Sequence, residues 1–305
     1  MKKARFFRRK IMVERNKTFQ IMANAVMIIL VVFCMLPLLL LFSSSLNEEH
    51  ALIVNGYSFL PSKLDFSAYK YILVDSTQLL RGYGISALVT LIGTTVNLVF
   101  TTLFAYPLSR KDLPGKNMIA FFLFFTMLFN GGLVPSYIMW TQNFHIKNTL
   151  WALIVPNLLM GAFNVIMMRT YLTSNIPEEV IDAARIDGSG EGGILVRIVV
   201  PMSKPIISTL ALLVGLGYWN DWLNGLYYIN KDTLYSIQVL LNRMLLDTQF
   251  LMSSASQGMN IDTSQLPSTG IKMAIAVMGI LPVLIVYPFL QKYLVQGITI
   301  GAVKG

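Results

Sequence analysis

The sequence lacks the residues that most catalytic and metal-binding sites require. Its one cysteine, Cys34, excludes a disulfide within the chain, and neither of its two histidines, His50 and His145, has a second ligand at metal-binding spacing. There is no G-x-x-x-x-G-K-S/T phosphate loop, and no nucleophile stands with a recognisable base. Redox chemistry, a metal centre, a phosphate-loop ATPase and a hydrolytic active site are therefore not expected.

Charged residues are also scarce. Asp, Glu, Lys and Arg make up 13% of the 305 residues, about half the usual share in a soluble domain, whereas hydrophobic residues make up 55%. A membrane-spanning helix needs roughly 20 apolar residues. The stretches that meet this requirement are 21–42, 85–108, 118–140, 150–168, 206–229 and 271–290. The third is interrupted by Gly131-Gly132 and Pro135. The first is too long for a signal peptide, whose apolar core is roughly 7–15 residues. The composition predicts an all-α integral membrane protein.

The distribution of Lys and Arg predicts which segments face the cytoplasm. If the N-terminus is cytoplasmic, the inside segments 1–20, 109–117, 169–205 and 291–305 hold 17 of the 24 basic residues. This asymmetry places both termini in the cytoplasm. It also divides the chain into a basic N-terminal segment, 1–20, and a single transmembrane domain, 21–305. The net charge of +9 is then explained by orientation and contact with anionic lipid, and nucleic-acid binding is not expected.

Two long connections, 43–84 and 230–270, fall on the predicted outer side. The first contains LPSKLDFSAYKYIL, whose aromatic residues favour a short helix at the membrane surface. The second contains MSSASQGMNIDTSQLPSTG, which is typical either of a disordered linker or of a loop that reaches an external partner.

The polar segment 169–205 has the most informative pattern. Pro177 can open a helix, and the acidic residues that follow suit the positive end of its dipole. Ala183 and Ala184 favour helix, and Asp187-Gly188 ends it, because glycine accepts the left-handed conformation. A second helix is expected through Ile194 and Ile198, ended by Pro201 and Pro205. The pattern therefore predicts two short helices joined by a tight turn on the membrane surface.

This segment resembles the EAA loop in permease subunits of ATP-binding-cassette carbohydrate importers of the maltose-transporter type. The family pattern is E-A-A-x-x-D-G-A, a spacer, and I-x-x-P-x-x-x-P. This chain supplies Asp182-Ala183-Ala184, Asp187-Gly188, Ile198, Pro201 and Pro205, with Asp182 in place of Glu. The six-span layout and Trp219-Asn220 extend the resemblance over most of the chain. The ending YPFLQKYLVQGITIGAVKG resembles the subgroup that handles complex oligosaccharides.

The resemblance implies a type I importer permease fold, with six transmembrane helices and a cytoplasmic coupling helix, in a prokaryotic cytoplasmic membrane. The implied partners are a homologous second permease, two cytoplasmic ATPases and an extracytoplasmic sugar-binding protein. ATP and Mg are expected on the ATPases, and no cofactor is expected in this chain. The residues implied in ATPase coupling are Glu178, Glu179, Asp182, Ala183, Ala184, Arg185, Asp187 and Gly188.

The fifth predicted span contains polar and aromatic residues at helical spacing. They are Tyr218, Trp219, Asn220, Asn224 and Tyr227. One interpretation is a stripe that lines the sugar pathway, because indole and phenol rings stack on sugars and polar groups inside a span often face a cavity. The other is hydrogen bonding between helices together with an aromatic belt.

The alternative function is an ion-coupled secondary carrier or channel that works without an ATPase. Such proteins bury coupling charges in mid-span and often contain inverted repeats with broken helices. This chain offers only Asp221, near the outer part of a span. The charged turn at Arg110, Lys111, Asp112 and Lys116 is interpreted as an orientation anchor, with ATPase contact as the alternative.

Overall fold

The computed structural model describes residues 17–73, 76–256 and 268–302. Within these ranges the regular elements are helical, and one isolated β-bridge joins Asn47 and Leu64. The chain divides into two units, 1–71 with 264–277 and 72–263 with 278–305. Most of the basic segment 1–20 and part of the connection 230–270 lie outside the described residues.

The first unit contains α1 (Lys17–Ser45), α2 (Glu49–Asn55), most of α3 (Ser67–Leu73) and the start of α15 (Ser268–Ala302). Beyond Lys17, α1 carries no charged residue, and its apolar length is exposed, as expected of a helix that faces lipid or another chain. The Glu49 carboxylate accepts hydrogen bonds from the amides of Thr269 (3.0 Å) and Gly270 (2.8 Å) at the beginning of α15. Negative charge at this end complements the helix dipole.

The second unit is built around α4, which packs along α12 and α8 and also contacts α14. Its helices are α4 (Ser76–Ser109), α5 (Lys116–Leu128), α6 (Leu133–Ile138), α7 (Trp151–Ile154), α8 (Ala162–Asn175), α9 (Glu178–Ile186), α10 (Glu191–Ile194), α11 (Val200–Met202), α12 (Lys204–Trp219), α13 (Leu223–Tyr228) and α14 (Ile237–Ser256), followed by the continuation of α15. Gly93 of α4 lets the ring of Tyr218 approach closely, since a Cβ there would lie 2.5 Å from that ring.

Two apolar clusters form the core of this unit. One joins α4, α8 and α12 to the short helices α9 and α10, through fully buried residues such as Met168, Ile194 and Leu210. The other gathers Leu153, Tyr218 and residues of α13 and α14. The first cluster anchors the segment that resembles the EAA loop, and the second surrounds the polar residues of the fifth predicted span.

Continuous helices contain the first, second and sixth predicted spans. They are α1, α4 and α15. The third predicted span is broken, because α5 ends at Leu128 and the chain resumes as α6 with a π-helical turn at Met139–Asn143, at an angle of 110°. Gly132, with φ of +87°, occupies this break, where a glycine is favoured.

The fourth and fifth predicted spans are also interrupted. Between α7 and α8 the chain is irregular at 155–161, where Pro156 has no amide hydrogen to donate and Asn157 adopts a φ of +62°. In the fifth, α12 ends at Trp219 and α13 begins at Leu223. The described residues therefore contain three helices long and apolar enough to cross a membrane, or up to five such spans if each of two bent helix pairs is one span.

Helices occupy part of each of the two long connections. The short helix predicted in 43–84 corresponds to α3, and α2 precedes it. In the connection 230–270, α14 occupies Ile237–Ser256, which includes the first five residues of the Ser-rich stretch. Residues 257–267, which contain most of its Ser-rich part, lie outside the described residues.

Candidate functional site

The helix α9 has the predicted start signals, shifted by one residue. Pro177 adopts extended backbone just before the helix, and Glu178 and Glu179 occupy the first turn. Asp182 lies in the second turn. The two glutamates place negative charge at the positive end of the helix dipole, which favours helix formation at this point.

A glycine-dependent turn ends α9, as the sequence predicts. Gly188 has φ of +80°, a conformation that costs other residues roughly 1–2 kcal/mol. The amides of Asp187, Gly188 and Ser189 donate to carbonyls in the last turn of α9, at 2.9–3.0 Å. These bonds satisfy carbonyl groups that a helix end otherwise leaves open. The turn therefore fixes where α9 stops and where the next helix begins.

The two faces of α9 have different environments. Ile181 and Ala184 are buried, at 6% and 7% exposure, in the cluster that includes Met168 and Ile194. The opposite face exposes Ala183 and Ile186, which is 87% exposed. The resemblance assigns Ala183 and Ala184 together to the coupling surface, whereas the structure turns Ala184 inward. Adjacent helical positions are about 100° apart, which separates these two alanines.

The second surface helix runs from Glu191 to Met202, with a π-helical turn at Leu195–Val199. Pro201 does not end it. The wider turn just before Pro201 relieves the clash that a proline ring makes inside an α-helix. The chain bends by 79° between Met202 and Lys204, where α12 begins. Ile194 and Val199 are fully buried beneath the same cluster as α9.

Arg185 is the centre of an ion-pair network between α9 and distant residues. Its Nη2 lies 3.2 Å from Oδ2 of Asp112, and its Nε donates to Oε1 of Glu191 at 2.9 Å. Asp182 lies further away, at 3.9 Å. Glu191 also accepts a hydrogen bond from the hydroxyl of Tyr106, at 2.7 Å. The hydrogen bond from Tyr106 and the one from Arg185 both lower the pKa of the Glu191 carboxyl.

The basic turn after α4 is part of this network. Arg110 is almost fully buried and donates twice to Asp112, at 3.1 Å each, while Lys116 donates to the carbonyl of Arg110. Arg110 first, and then Arg185, hold the pKa of the Asp112 carboxyl well below its usual value. Lys111 forms a separate ion pair with Glu178, at 2.6 Å. The sequence predicts an orientation anchor at this turn, but it does not predict the contacts of the turn with α9. No local signal pairs Asp112 with Arg185, because they are 73 residues apart.

Two of the polar residues in the fifth predicted span are buried and bonded to backbone. The hydroxyl of Tyr218 donates to the carbonyl of Ile154 at 2.9 Å, and Nδ2 of Asn224 donates to the carbonyl of Pro156 at 2.9 Å. Both side chains are 3% exposed. The acceptors lie at the break between α7 and α8, where helix carbonyls lose their regular partners. In hydrocarbon such groups must be satisfied inside the protein.

The other three predicted pathway residues have different surroundings. The ring of Trp219 stacks on that of Tyr83, with centroids 6.4 Å apart. Trp219 also borders an apolar cavity of about 410 Å³ between α4, α12 and α15. Asn220 is exposed in the turn that ends α12, and Tyr227 is half-buried against the second cluster. The predicted single stripe is absent, because the helix is interrupted at 220–222.

These observations define a helical membrane subunit with a structured surface loop. Residues 11–300 match the model of the family described as binding-protein-dependent transport system inner membrane component, and the chain belongs to this family. It is a permease subunit of an ATP-binding-cassette importer, a class in which separate subunits hydrolyse ATP. This membership disfavours the alternative of a carrier that works without an ATPase.

Similar proteins include two from Bacillus subtilis (strain 168). Protein LplC is 36% identical over 270 residues, 88% of this chain and 89% of LplC. The polygalacturonan/rhamnogalacturonan transport system permease protein YtcP is 33% identical over 298 residues, 95% of this chain and 100% of YtcP. Among solved structures, a bacterial ABC transporter involved in import of the acidic polysaccharide alginate has a chain that aligns with TM-score 0.76 and 28% identity. The alignment covers 94% of this chain and 99% of that chain.

Proposed function

We propose that this permease imports an oligosaccharide or related glycan across the cytoplasmic membrane. It would pair with a homologous permease, two ATPases that hold ATP and Mg, and an external sugar-binding protein. In this arrangement the chain crosses the membrane six times, with both termini and the loop 169–205 in the cytoplasm. The names of two relatives support the substrate class. YtcP transports polygalacturonan or rhamnogalacturonan, and AraQ of Halalkalibacterium halodurans, 29% identical over 277 residues, transports arabinooligosaccharides.

The helix α9 is proposed as the coupling helix that docks into an ATPase. The observation that carries this proposal is its asymmetry, because one face is anchored in the core while the other presents Val180, Ala183 and Ile186 to the surroundings. An apolar residue as exposed as Ile186 beside Glu179 and Asp182 is typical of a contact surface with a polar rim.

A displacement of α9 would reach the spans through the core beneath it. Ile181 and Ala184 pack in the same cluster as residues of α4, α8 and α12. A closely packed cluster transmits displacement because it has little free volume. Closure of the two ATPases would therefore move α9, and α9 would move these helices between inward- and outward-facing arrangements.

For the substrate pathway we propose Trp219, Asn220 and Tyr227 as the residues that approach the sugar. Trp219 offers an aromatic face beside the apolar cavity, and Asn220 offers an exposed amide. Tyr218 and Asn224 are proposed to support these residues by fixing the turn and the break between α7 and α8, since their polar atoms are already bonded.

The two adjacent alanines of α9 supply a matched test of docking. Ala183→Asp should leave the amount of folded permease unchanged, but reduce co-purification of the ATPases and abolish uptake, because a charge enters the contact surface. Ala184→Asp should lower the amount of folded permease itself, because it buries a charge in the core. Ala183→Ser, small and uncharged, is the control. Normal ATPase recovery and uptake in Ala183→Asp would refute docking through α9.

The substrate class requires a second test. The complete transporter, reconstituted in vesicles with its binding protein, should hydrolyse ATP faster when oligogalacturonides or arabinooligosaccharides are supplied outside. An amino-acid or phosphate supply should have no effect. The assignment to glycans would be overturned if no member of a broad glycan panel stimulated ATP hydrolysis and an amino acid or peptide did. The ATPase-docking role of α9 would remain intact.

A further inference from the structure

The network of contacts around Arg185 begins at the end of α4 and returns to the turn that directly follows it. Tyr106, in the last full turn of α4, donates to Glu191, and Glu191 is bonded to Arg185. Arg185 in turn is bonded to Asp112, and Asp112 to Arg110, which directly follows α4. Both ends of this chain of contacts therefore lie within residues 106–112, at the end of α4 and in the turn after it. The helix α9 and the start of α10 are held between these two ends.

We propose that Arg185 is a positioning residue that latches the coupling helix to the end of α4. The latch consists of Tyr106, Arg110, Asp112, Arg185 and Glu191. It would fix the direction of α9 relative to α4, so that displacement by the ATPase moves α4 and is not absorbed by rotation of α9. This inference rests on the proposed coupling role of α9.

The geometry of Arg185 suits this role better than that of a lysine. Its guanidinium presents several donors in a fixed plane, and here Nε and Nη2 point to Glu191 while Nη2 also lies near Asp112. Contacts to two acceptors from one rigid plane restrict rotation as well as distance. An ammonium group has the same charge but no preferred direction between the acceptors.

The exposure of the network argues that it orients α9 and contributes little to stability. The side chains of Arg185 and Asp112 are 38% and 54% exposed, and ion pairs of this kind stabilise a fold only slightly because solvent screens them. The network is nevertheless anchored, because Tyr106 and Arg110 at its ends are only 6% and 8% exposed. The core cluster already holds α9 in place through Ile181 and Ala184.

A second ion pair between α9 and the turn after α4 provides an internal control. Glu178, in the first turn of α9, pairs with Lys111, and this ion pair shares no residue with the latch. Its side chains are 78% and 40% exposed. A variant that removes the ion pair between Lys111 and Glu178 changes the net charge of the same surface but leaves every contact of the latch in place.

The test compares ATP consumption with transport in the complete, reconstituted transporter. Arg185→Lys, Asp112→Asn and Tyr106→Phe should each raise the number of ATP molecules hydrolysed per substrate imported, by about two- to tenfold. ATPase recovery and melting temperature should stay close to those of the unmodified transporter. The double variant Arg185→Lys/Asp112→Asn should be no worse than the more severe single variant, because both changes open the same latch. Lys111→Ala should leave the ratio unchanged.

A distance measurement tests the orientation directly. With Cys34 replaced by Ser, spin labels at Asn117 of α5 and Gly190 after α9, both exposed, should give a narrow distance distribution in the complete transporter. Asp112→Asn should broaden this distribution, and Lys111→Ala should not.

The possible outcomes separate this inference from the proposed function. If Ala183→Asp abolishes ATPase docking but the latch variants keep the normal ATP-to-substrate ratio and a narrow distance distribution, the latch is refuted and the coupling role of α9 stands. Additive effects in the double variant also refute the latch. If Ala183→Asp has no effect on docking, both proposals fall.

Discussion

The loop 169–205 and the segment 218–228 both place polar residues between apolar helices, but they use them in opposite ways. In the loop, Arg185 pairs with Glu191 and with Asp112 of the turn after α4 near the surface, while apolar Ile186 points outward. In the segment, Tyr218 and Asn224 point inward and bond to backbone carbonyls. Water satisfies unpaired polar groups at a surface, whereas hydrocarbon does not. Charged side chains therefore orient the first region, whereas neutral polar side chains complete the backbone hydrogen bonding of the second.

This difference gives the two regions different responses to substitution. Changes in the buried segment should reduce the amount of folded permease and its stability. Changes at the exposed and ion-paired positions of the loop should spare the fold and reduce coupling to ATP hydrolysis. A substitution in either region that produced the other response would weaken the comparison.

The largest effect on the buried side is expected at Gly93. Gly93→Ala would place a methyl group 2.5 Å from the ring of Tyr218, and overpacking of this kind costs about 1–3 kcal/mol. The yield of monodisperse permease and its melting temperature in detergent should both fall. Gly84→Ala, on the same helix with open space around the new methyl group, is the control. Equal behaviour of the two variants would show that α4 and α12 do not need this close approach.

On the loop side, the largest effect is expected at Gly188. A β-branched residue there must adopt a φ of +80°, at a cost of about 2 kcal/mol. Gly188→Val should abolish transport while the permease remains in the membrane, and the amide of Ser189 should exchange hydrogen faster. Gly190→Val is the matched control, because Gly190 has a φ of −72° and open space around it. Retained transport in Gly188→Val would mean that the turn after α9 is not needed for coupling.

A smaller effect is expected when the buried hydrogen bond of Asn224 is removed. Asn224→Leu leaves the carbonyl of Pro156 without its donor, and such bonds in membrane proteins contribute about 0.6–1.7 kcal/mol. Reversible unfolding in mixed micelles should show this loss. Asn220→Leu, at an exposed position four residues earlier, should be close to neutral for stability. The interpretation of Asn224 as a structural residue fails if Asn220→Leu is the more destabilising of the two.

The smallest effect is expected for the exposed ion pair between Lys111 and Glu178. Lys111 lowers the pKa of the Glu178 carboxyl. A lowered pKa in the folded state stabilises the fold above the unfolded pKa, about 4.3, and this contribution disappears as pH falls through the folded value. The melting temperature of Lys111→Ala should therefore lie slightly below that of the unmodified permease at pH 7 and converge with it once the pH falls below the lowered pKa of Glu178. High salt should also remove the difference. A difference that persists in acid would point to packing by the lysine stem.

Local signals allowed the helix α9 to be predicted closely. Pro177, the acidic residues after it, the alanines and Asp187-Gly188 act within one or two turns of helix, and α9 begins and ends within a residue of the prediction. The inward direction of Ala184 and the pairing of Arg185 with Asp112 depend on elements far away in the sequence. Such contacts are fixed by the packing of α9 against α4 and α8, which no local pattern specifies.

Hydrophobic length was a less reliable guide to the spans. It located α1, α4 and α15, which are uninterrupted. It predicts 150–168 and 206–229 as uninterrupted spans, although both are interrupted, whereas the interruption of 118–140 is predicted from Gly131-Gly132 and Pro135 and is confirmed. Gly132, Pro156 and the polar turn after Trp219 stand at these interruptions. Average hydropathy does not register such breaks, because a few residues alter the backbone without altering the apolar character of the window.

The carboxylate of Glu49 accepts hydrogen bonds from Thr269 and Gly270 at the beginning of α15, and these residues follow Glu49 in the chain by 220 and 221 positions. During synthesis Glu49 emerges long before Thr269, so the last helix meets an anchoring group that is already in place. Because the two donors are backbone amides, the contact depends on where the last helix begins and not on its side chains. A chimera that takes its last helix from a related permease should therefore keep this anchor only if the new helix begins at the same position.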